Sequence, residues 1–166
     1  MARRFRGESV HKVDSKGRVS IPAAFRRVLE EGDPDWVSGA QPNLVLMYGR
    51  RDGIFLEGFS VKGIEKVDDM VDEMAPFSAE REALERMINT QSTQVQVDDS
   101  GRIVLSPKLR EMIGVTGEAT FAGMGDKFQI WQPDAYAEDM ARLKSEMKSQ
   151  GSVDPFAMLG KVKREG

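Results

Sequence analysis

The sequence predicts a mainly β protein with helices, an α+β chain in which two copies of one small β-rich unit pair about a pseudo-twofold axis. Three observations carry this. A motif recurs at a constant offset of 84 residues, each copy shows the alternation of short strands, and the stretches between and after the copies turn to helical periodicity.

Residues 13–26 read VDSKGRVSIPAAFR and residues 97–110 read VDDSGRIVLSPKLR. In one ungapped register Val13 meets Val97, Asp14 meets Asp98, Gly17 meets Gly101 and Arg18 meets Arg102. Val19 then falls on Ile103, Ile21 on Leu105, Phe25 on Leu109 and Arg26 on Arg110. Further on, with ten residues fewer in the second copy, MYGRRDGIFLE (47–57) resembles FAGMGDKFQIW (121–131), which sets Gly49 on Gly123 and Asp52 on Asp126. The offset is close to half of the 166 residues, so the unit reads as duplicated.

Each copy has a readable local structure. Val95 and Val97 alternate with Gln94 and Gln96, as in a half-buried strand. Asp98 to Gly101 is a turn, because Asp accepts hydrogen bonds from nearby backbone amides and Gly takes a positive φ. In the strand after it, Ile103 and Leu105 share one face, with Arg102 and Val104 on the other; Val19 and Ile21 likewise leave Arg18 and Ser20 opposite. A short helix follows, with Phe25, Val28 and Leu29 at core spacing, matched by Leu109, Met112 and Ile113. Ser106 and Pro107 suit its N-cap and first turn and Gly114 its end, while the first copy has Pro22 where the second has Ser106. Each copy closes with a hairpin, Leu44–Tyr48 with Ile54–Phe59 and Ala119–Ala122 with Lys127–Trp131. A unit this small buries little core alone, so the two copies are expected to pair into one closed β-barrel.

Helical stretches complete the chain. Residues 60–75 place Ile64, Val67, Met70, Val71 and Met74 on one face. Pro76 breaks that pattern, Ser78 suits an N-cap, and Ala83, Leu84, Met87 and Ile88 form a second stripe. Residues 133–149 give a third, mostly polar helix carrying Tyr136, Met140, Leu143 and Met147. The stripes read as core or subunit contact, and from Gly151 onward the chain reads as a tail. The expected organisation is a first unit at 5–59, a helical hairpin at 60–91, a second unit at 92–135, and a helix with tail at 136–166.

Charge narrows the function. The net charge is −3, but residues 1–27 hold eight Lys or Arg against Glu8 and Asp14, a local +6 that leaves −9 for the rest. A phosphate-binding surface needs local positive charge rather than a basic whole. No apolar run approaches the length of a membrane span, and MARRFRGESV lacks the apolar core of a secretory signal. The absence of cysteine excludes disulfides, thiolate metal sites and thiol nucleophiles, and fits a reducing cytoplasm. Catalysis is not expected. His11 is the one histidine and reads as a strand residue; Asp68, Asp69, Asp72 and Glu73 read as a solvated helix face rather than a metal site. Gly123-Met124-Gly125 matches no phosphate-binding loop, so no cofactor or metal is expected.

FRGESVHKVDSKGRVSIPAAFR resembles the N-terminal signature of the MraZ family, and VDDSGRIVLSPKLREMIGVTGE resembles its second copy. The resemblance runs from Phe5 to about Trp131. It implies a pair of swapped-hairpin domains of the SpoVT/AbrB kind, ring-like homo-oligomers, and a bacterial regulator that binds double-stranded DNA. It further implies repeated G-rich promoter boxes as target, with repression of its own promoter and of the division and cell-wall gene cluster, and a cytoplasmic, nucleoid-associated location. By the same resemblance the DNA-contacting arginine falls on Arg18. Arginine suits the role, since its planar fork chelates guanine O6 and N7 or clamps a phosphate. Lys16 at the turn is expected to meet phosphate, and Arg6, Arg3 and Arg4 on the preceding strand and its extension to broaden the same patch. Arg102 is the weaker candidate, because its turn has Asp99 and Ser100 where the first has Ser15 and Lys16. Asp14, Gly17, Asp98 and Gly101 are assigned to turn geometry. The rival readings are an antitoxin-like protein that binds its partner through the tail, with Phe156, Met158 and Leu159 as apolar anchors, and a ring-forming assembly protein that binds no DNA.

Overall fold

The computed structural model describes residues 3–159. Part of the expected tail, residues 160–166, lies outside the described residues. The chain divides into two compact units between Pro133 and Asp134.

Among the described residues the first unit holds eight strands. They are β1 (Glu8–Lys12), β2 (Arg18–Ser20), β3 (Asn43–Met47), β4 (Phe55–Ser60), β5 (Ser92–Gln96), β6 (Arg102–Val104), β7 (Glu118–Gly123) and β8 (Phe128–Trp131). Helix α1 (Ala23–Glu31) follows β2 and buries Phe25, Val28 and Leu29. Its counterpart α4 (Pro107–Ile113) follows β6 and buries Leu109 and Ile113. The caps of α4 form as read from the sequence: Ser106 Oγ accepts from Leu109 N, and Gly114 takes the left-handed conformation at φ 72°. Helices α2 (Val61–Asp72) and α3 (Ala79–Thr90) lie between the copies, capped by the Ser60 and Ser78 hydroxyls.

Pairing interleaves the two copies. Six antiparallel strands run in the order β1-β7-β8-β4-β3-β5, and β2 pairs with β6 as a separate ribbon. Among the named strands, only β3–β4 and β7–β8 pair within a copy; β1 pairs with β7, β5 with β3, and β4 with β8. The rungs Arg18–Val104 and Ser20–Arg102 exchange under the repeat offset, as do Phe55–Trp131 and Glu57–Gln129 under that of the hairpins.

Two expectations are corrected. The sheet is not closed, since β1 and β5 remain its end strands; the two-stranded ribbon covers part of the core instead of completing a barrel. The hairpin alignment also shifts by one residue. Glu8 pairs with Ala122 and its equivalent Ser92 with Met47, so Met47 corresponds to Ala122 rather than Phe121. The extra residue sits in the turn Arg50–Gly53, where Arg51 and Asp52 adopt φ of 49° and 60°.

The core is continuous across both copies. Val19, Ile21, Leu29, Leu44, Leu46, Leu56, Ile103, Leu105, Phe121 and Ile130 are all at most 2% exposed. Phe5 joins it ahead of β1, edge-on to Phe25 at 5.3 Å and to Phe128 at 5.1 Å between ring centroids. The stripes of α2 and α3 behave differently. Val71 is buried, but α3 buries no residue and Met70, Leu84 and Met87 are exposed. The second unit carries α5 (Pro133–Ser149), which begins at the boundary, and a single turn at Pro155–Met158 whose N-cap is Asp154.

One charge is buried within the sheet. Glu57 on β4 is 1% exposed and pairs with Lys127 Nζ at 2.6 Å and Arg50 Nη1 at 2.8 Å. Lys127 belongs to the other copy's hairpin, so the pair ties the two hairpins together. Lys127→Met should lower unfolding free energy by about 2 kcal/mol, because a buried carboxylate then keeps only Arg50, itself half exposed. Denaturant unfolding measures this, and an unchanged midpoint would contradict it.

Candidate nucleic-acid interface

The two repeated turns are built alike. The Asp14 carboxylate oxygen Oδ1 accepts from Lys16 N at 3.0 Å and Arg18 N at 2.9 Å, and Gly17 N donates to Asp14 O at 2.9 Å. In the second copy Asp98 Oδ1 accepts from Ser100 N at 2.8 Å and Arg102 N at 2.9 Å, and Gly101 N donates to Asp98 O at 3.0 Å. Gly17 and Gly101 have φ of 84° and 77°, where a side chain is strained.

Each turn is closed from the other copy. Leu105 N donates to Gly17 O at 2.8 Å, and Ile21 N donates to Gly101 O at 3.0 Å. A Cβ on Gly17 would overlap the Leu105 carbonyl, and one on Gly101 would overlap the Arg26 guanidinium.

Between the turns the β2–β6 ribbon has one buried and one open face. Val19 and Ile103 sit opposite each other and are each 1% exposed. Arg18, Ser20, Arg102 and Val104 therefore share the outer face, with Ser20 directly across from Arg102. Arg18 and Arg102 stand on the diagonal, a separation of about 7–8 Å for such positions. Both line an open groove together with Lys12, Ser20 and Glu118, and Glu118 lies across from Lys12 on the neighbouring strand pair.

The two arginines are held differently. Arg18 Nε donates to Asp14 Oδ2 at 2.6 Å, while its terminal nitrogens have no partner among the described residues. Arg102 Nε lies 3.4 Å from Asp98 Oδ2, an ion-pair distance without hydrogen-bond geometry. Hydrogen bonding from the Arg18 backbone amide, above all, holds the Asp14 carboxyl below its ordinary 3.8, and Arg102 N acts likewise on Asp98. Both aspartates are thus carboxylates at neutral pH. His11, on β1 and hydrogen-bonded to Ser9 Oγ, is shifted below 6.5 by burial, which favours its neutral form.

The other expected residues lie in different places. Lys16 is exposed at the apex of the first turn. Arg3, Arg4 and Arg6 are not brought to it. Arg6 precedes β1 rather than lying on it, and Phe5 bridges to Gly125 at the β7–β8 turn, the end of β1 away from Asp14. From Arg6 to Val13 the extended chain spans roughly 23 Å. Arg3 pairs with Glu31 at 3.1 Å and Arg4 with Asp126 at 3.1 Å. The cations of residues 1–27 therefore divide, with Arg3, Arg4 and Arg6 at one end of β1, Lys12, Lys16 and Arg18 at the other, and Arg26 and Arg27 on α1. Lys12, Ser20 and Glu118 were missed as groove residues; alternation from Asp14 already turned Lys12 and Ser20 outward, but nothing local announced Glu118, which reaches the groove through strand pairing.

Asp68 is pushed above 3.8 by burial, then by the Asp72 and Asp69 charges beside it, as on a crowded acidic face. Among the described residues no group of His, Cys, Asp and Glu is placed to hold a metal, and no helix is long and apolar enough to cross a membrane.

Comparison with known proteins places relatives beside this geometry. A family model described as "MraZ protein, putative antitoxin-like" matches residues 88–154. A Ruegeria pomeroyi protein named "Transcriptional regulator MraZ" is 54% identical over 139 residues, covering 84% of this chain and 83% of that protein. A protein of the same name from another Ruegeria species is 51% identical over 96% of both chains. One from Cereibacter sphaeroides is 43% identical, covering 85% of this chain and 87% of its own.

Two outcomes follow from the turn geometry. Gly17→Ala should destabilise the protein by about 1–3 kcal/mol, through a strained φ and the overlap with Leu105, measured by thermal unfolding. The depressed Asp14 and Asp98 values stabilise the fold fully above the ordinary 3.8, and that stability is lost as pH falls through the depressed values. Amide exchange at Arg18 and Arg102, corrected for intrinsic rate, should stay flat between roughly pH 6 and 8 and speed up only in acid. A change near pH 6.5 would show that another group controls the turns.

Proposed function

Because the chain belongs to the MraZ family of transcriptional regulators, we propose that it regulates transcription by binding double-stranded DNA in a sequence-specific manner through the outer face of the β2–β6 ribbon. The observation that carries this is the placement of Arg18 and Arg102, one from each copy, on a single open ribbon face. A two-stranded ribbon fits the major groove, which is about 12 Å wide. Arg18, tethered at Nε, directs its free terminal nitrogens at a guanine edge, and Lys16 meets phosphate. Arg102, about 7–8 Å away, spans close to two base steps of about 3.4 Å each, so one ribbon suits a short G-rich box.

The swapped-hairpin relation of the copies, the boundaries 5–59, 60–91, 92–135 and 136–166, and the repression of its own promoter and the division and cell-wall cluster belong to this reading. So do a cytoplasmic, nucleoid-associated location and a ring of subunits. The exposed apolar face of α2 and α3, with Met70, Leu84 and Met87, supports subunit contact; Phe77, fully exposed in the loop joining them, adds to it. Arg3, Arg4 and Arg6 would add a second, weaker DNA contact at the other end of β1. A second reading, partner binding through the tail, is favoured by Phe156 and Leu159, each 75% exposed. It predicts that removing residues 151–166 abolishes partner capture and leaves DNA binding intact.

Gel shift and anisotropy with DNA from upstream of the chain's own gene test the proposal. Arg18→Ala should cost roughly 1–3 kcal/mol per engaged contact and relax preference at one box position. Lys16→Ala should weaken all sequences alike and reduce the salt slope by about 0.9 per lost phosphate contact. A folded Arg18→Ala protein that keeps affinity and box preference would place the reading head elsewhere. Light scattering should show an assembly well above a dimer; a micromolar monomer of 18.5 kDa would remove the avidity that repeated boxes provide.

A further inference from the structure

We propose that Arg110, a residue of the second copy, positions the first copy's turn for DNA recognition; this rests on the reading of Arg18 and Lys16 as the DNA contacts. Arg110 leaves α4 and its Nε donates to Leu105 O at 3.0 Å. The amide of that same Leu105 donates to Gly17 O at 2.8 Å. The guanidinium also fills the space beneath Gly17, where a Cβ would stand 2.9 Å from Nε and 3.3 Å from Cζ. One side chain thus fixes the inner side of the turn through a hydrogen-bond relay and through packing against bare backbone.

Arginine suits this in a way lysine does not. Its flat group packs on a glycine while Nε stays tied, whereas an ammonium is a strongly hydrated point charge. Arg110 has no carboxylate partner among the described residues, so its guanidinium is left to the Leu105 carbonyl and the backbone of the turn.

The symmetric position lacks the brace. Arg26 lies against Gly101, but its buried Nε has no hydrogen-bond partner among the described residues. Only the turn that carries Lys16 is held by a bonded arginine. The second copy, whose own turn offers Asp99 and Ser100 to a polyanion, therefore serves recognition by holding the first.

The experiment uses the full-length protein, with Arg110→Met and Arg110→Lys compared with wild type and Arg18→Ala. Circular dichroism and oligomer size establish folding, and should the methionine variant fail to fold, the lysine variant carries the test. Amide exchange should accelerate at Lys16–Arg18 and not at Ser100–Arg102. Affinity for box DNA should fall about tenfold, the worth of about 1.4 kcal/mol, with reduced preference over unrelated DNA and an unchanged salt slope. Lysine should fail to rescue. Rescue by lysine would overturn the proposal in favour of a charge effect, and a reduced salt slope would overturn it in favour of a direct phosphate contact. Unchanged exchange and box preference in a folded variant would overturn it outright. If Arg18→Ala itself binds boxes normally, the underlying reading of the ribbon fails, and that result is separate from any behaviour of Arg110.

Discussion

Two crossed backbone hydrogen bonds, from Leu105 to Gly17 and from Ile21 to Gly101, tie the turn of each copy to the strand of the other. Each is worth about 1 kcal/mol net, which is not large. Their importance is geometric. The Leu105 carbonyl leaves no room for a Cβ at Gly17 and the Arg26 side chain fills that space at Gly101, and the two crossed bonds flank the rung of Val19 against Ile103. Once that rung is buried, period-2 alternation turns Arg18 and Arg102 outward together. A one-residue slip would bury the arginines and expose the two apolar side chains, so the core itself enforces the outward face.

The exchange holds in the backbone and breaks in the chemistry. Lys12 and Glu118 flank one side of the ribbon; the strand pair equivalent to theirs carries Gln96 across from Asn43. Ser15 and Lys16 tip one turn, Asp99 and Ser100 the other. Pairing requires matching glycines, matching apolar faces and matching carboxylates within the turns, and those positions agree between copies. The tips and flanks make few backbone bonds, so they differ without disturbing the fold. The two ends of the ribbon are therefore chemically distinct, so the proposed DNA-binding face would have a direction along its ligand.

Much of this was legible in the sequence, and the limit is physical. The turn Asp14–Gly17, the outward Arg18, the buried Phe25 and the capped α4 follow from forces acting within a few residues. Strand partnership does not. Val95 alternates identically whether its strand pairs within its copy or with β3 of the other, so the open, interleaved sheet had no local signal. Glu57 shows the same limit, since a carboxylate in a strand reads as solvent-facing unless Lys127 is known to arrive from the other hairpin. The basic N-terminus misled for a related reason. Residues close in sequence stand far apart on an extended strand, and Arg6 is carried to the end of β1 opposite the turn. The stripes of α2 and α3 are periodic as expected, but periodicity records an apolar face and not what covers it.

In a protein of net charge −3, the proposed polyanion-binding face depends on which cations are left unpaired, and the ion pairs bear on this. Arg3, Arg4, Arg50 and Lys127 are engaged by Glu31, Asp126 and Glu57. Arg18 is also paired, yet Asp14 takes it only at Nε and uses its other oxygen on the turn amides. The terminal nitrogens stay available while the long stem loses its freedom before any ligand arrives. An arginine carries about 2 kcal/mol of rotamer entropy, and the part already surrendered in the free protein is not lost again on binding. In the proposed complex the aspartate would reduce the long-range attraction for DNA slightly and sharpen the geometry of the short-range contact. Lys16, whose backbone amide donates to Asp14 but whose ammonium has no ion-pair partner among the described residues, would supply the attraction instead. On the proposed reading, specificity and affinity fall to neighbouring residues of one turn, and a turn that moved would lose the first before the second.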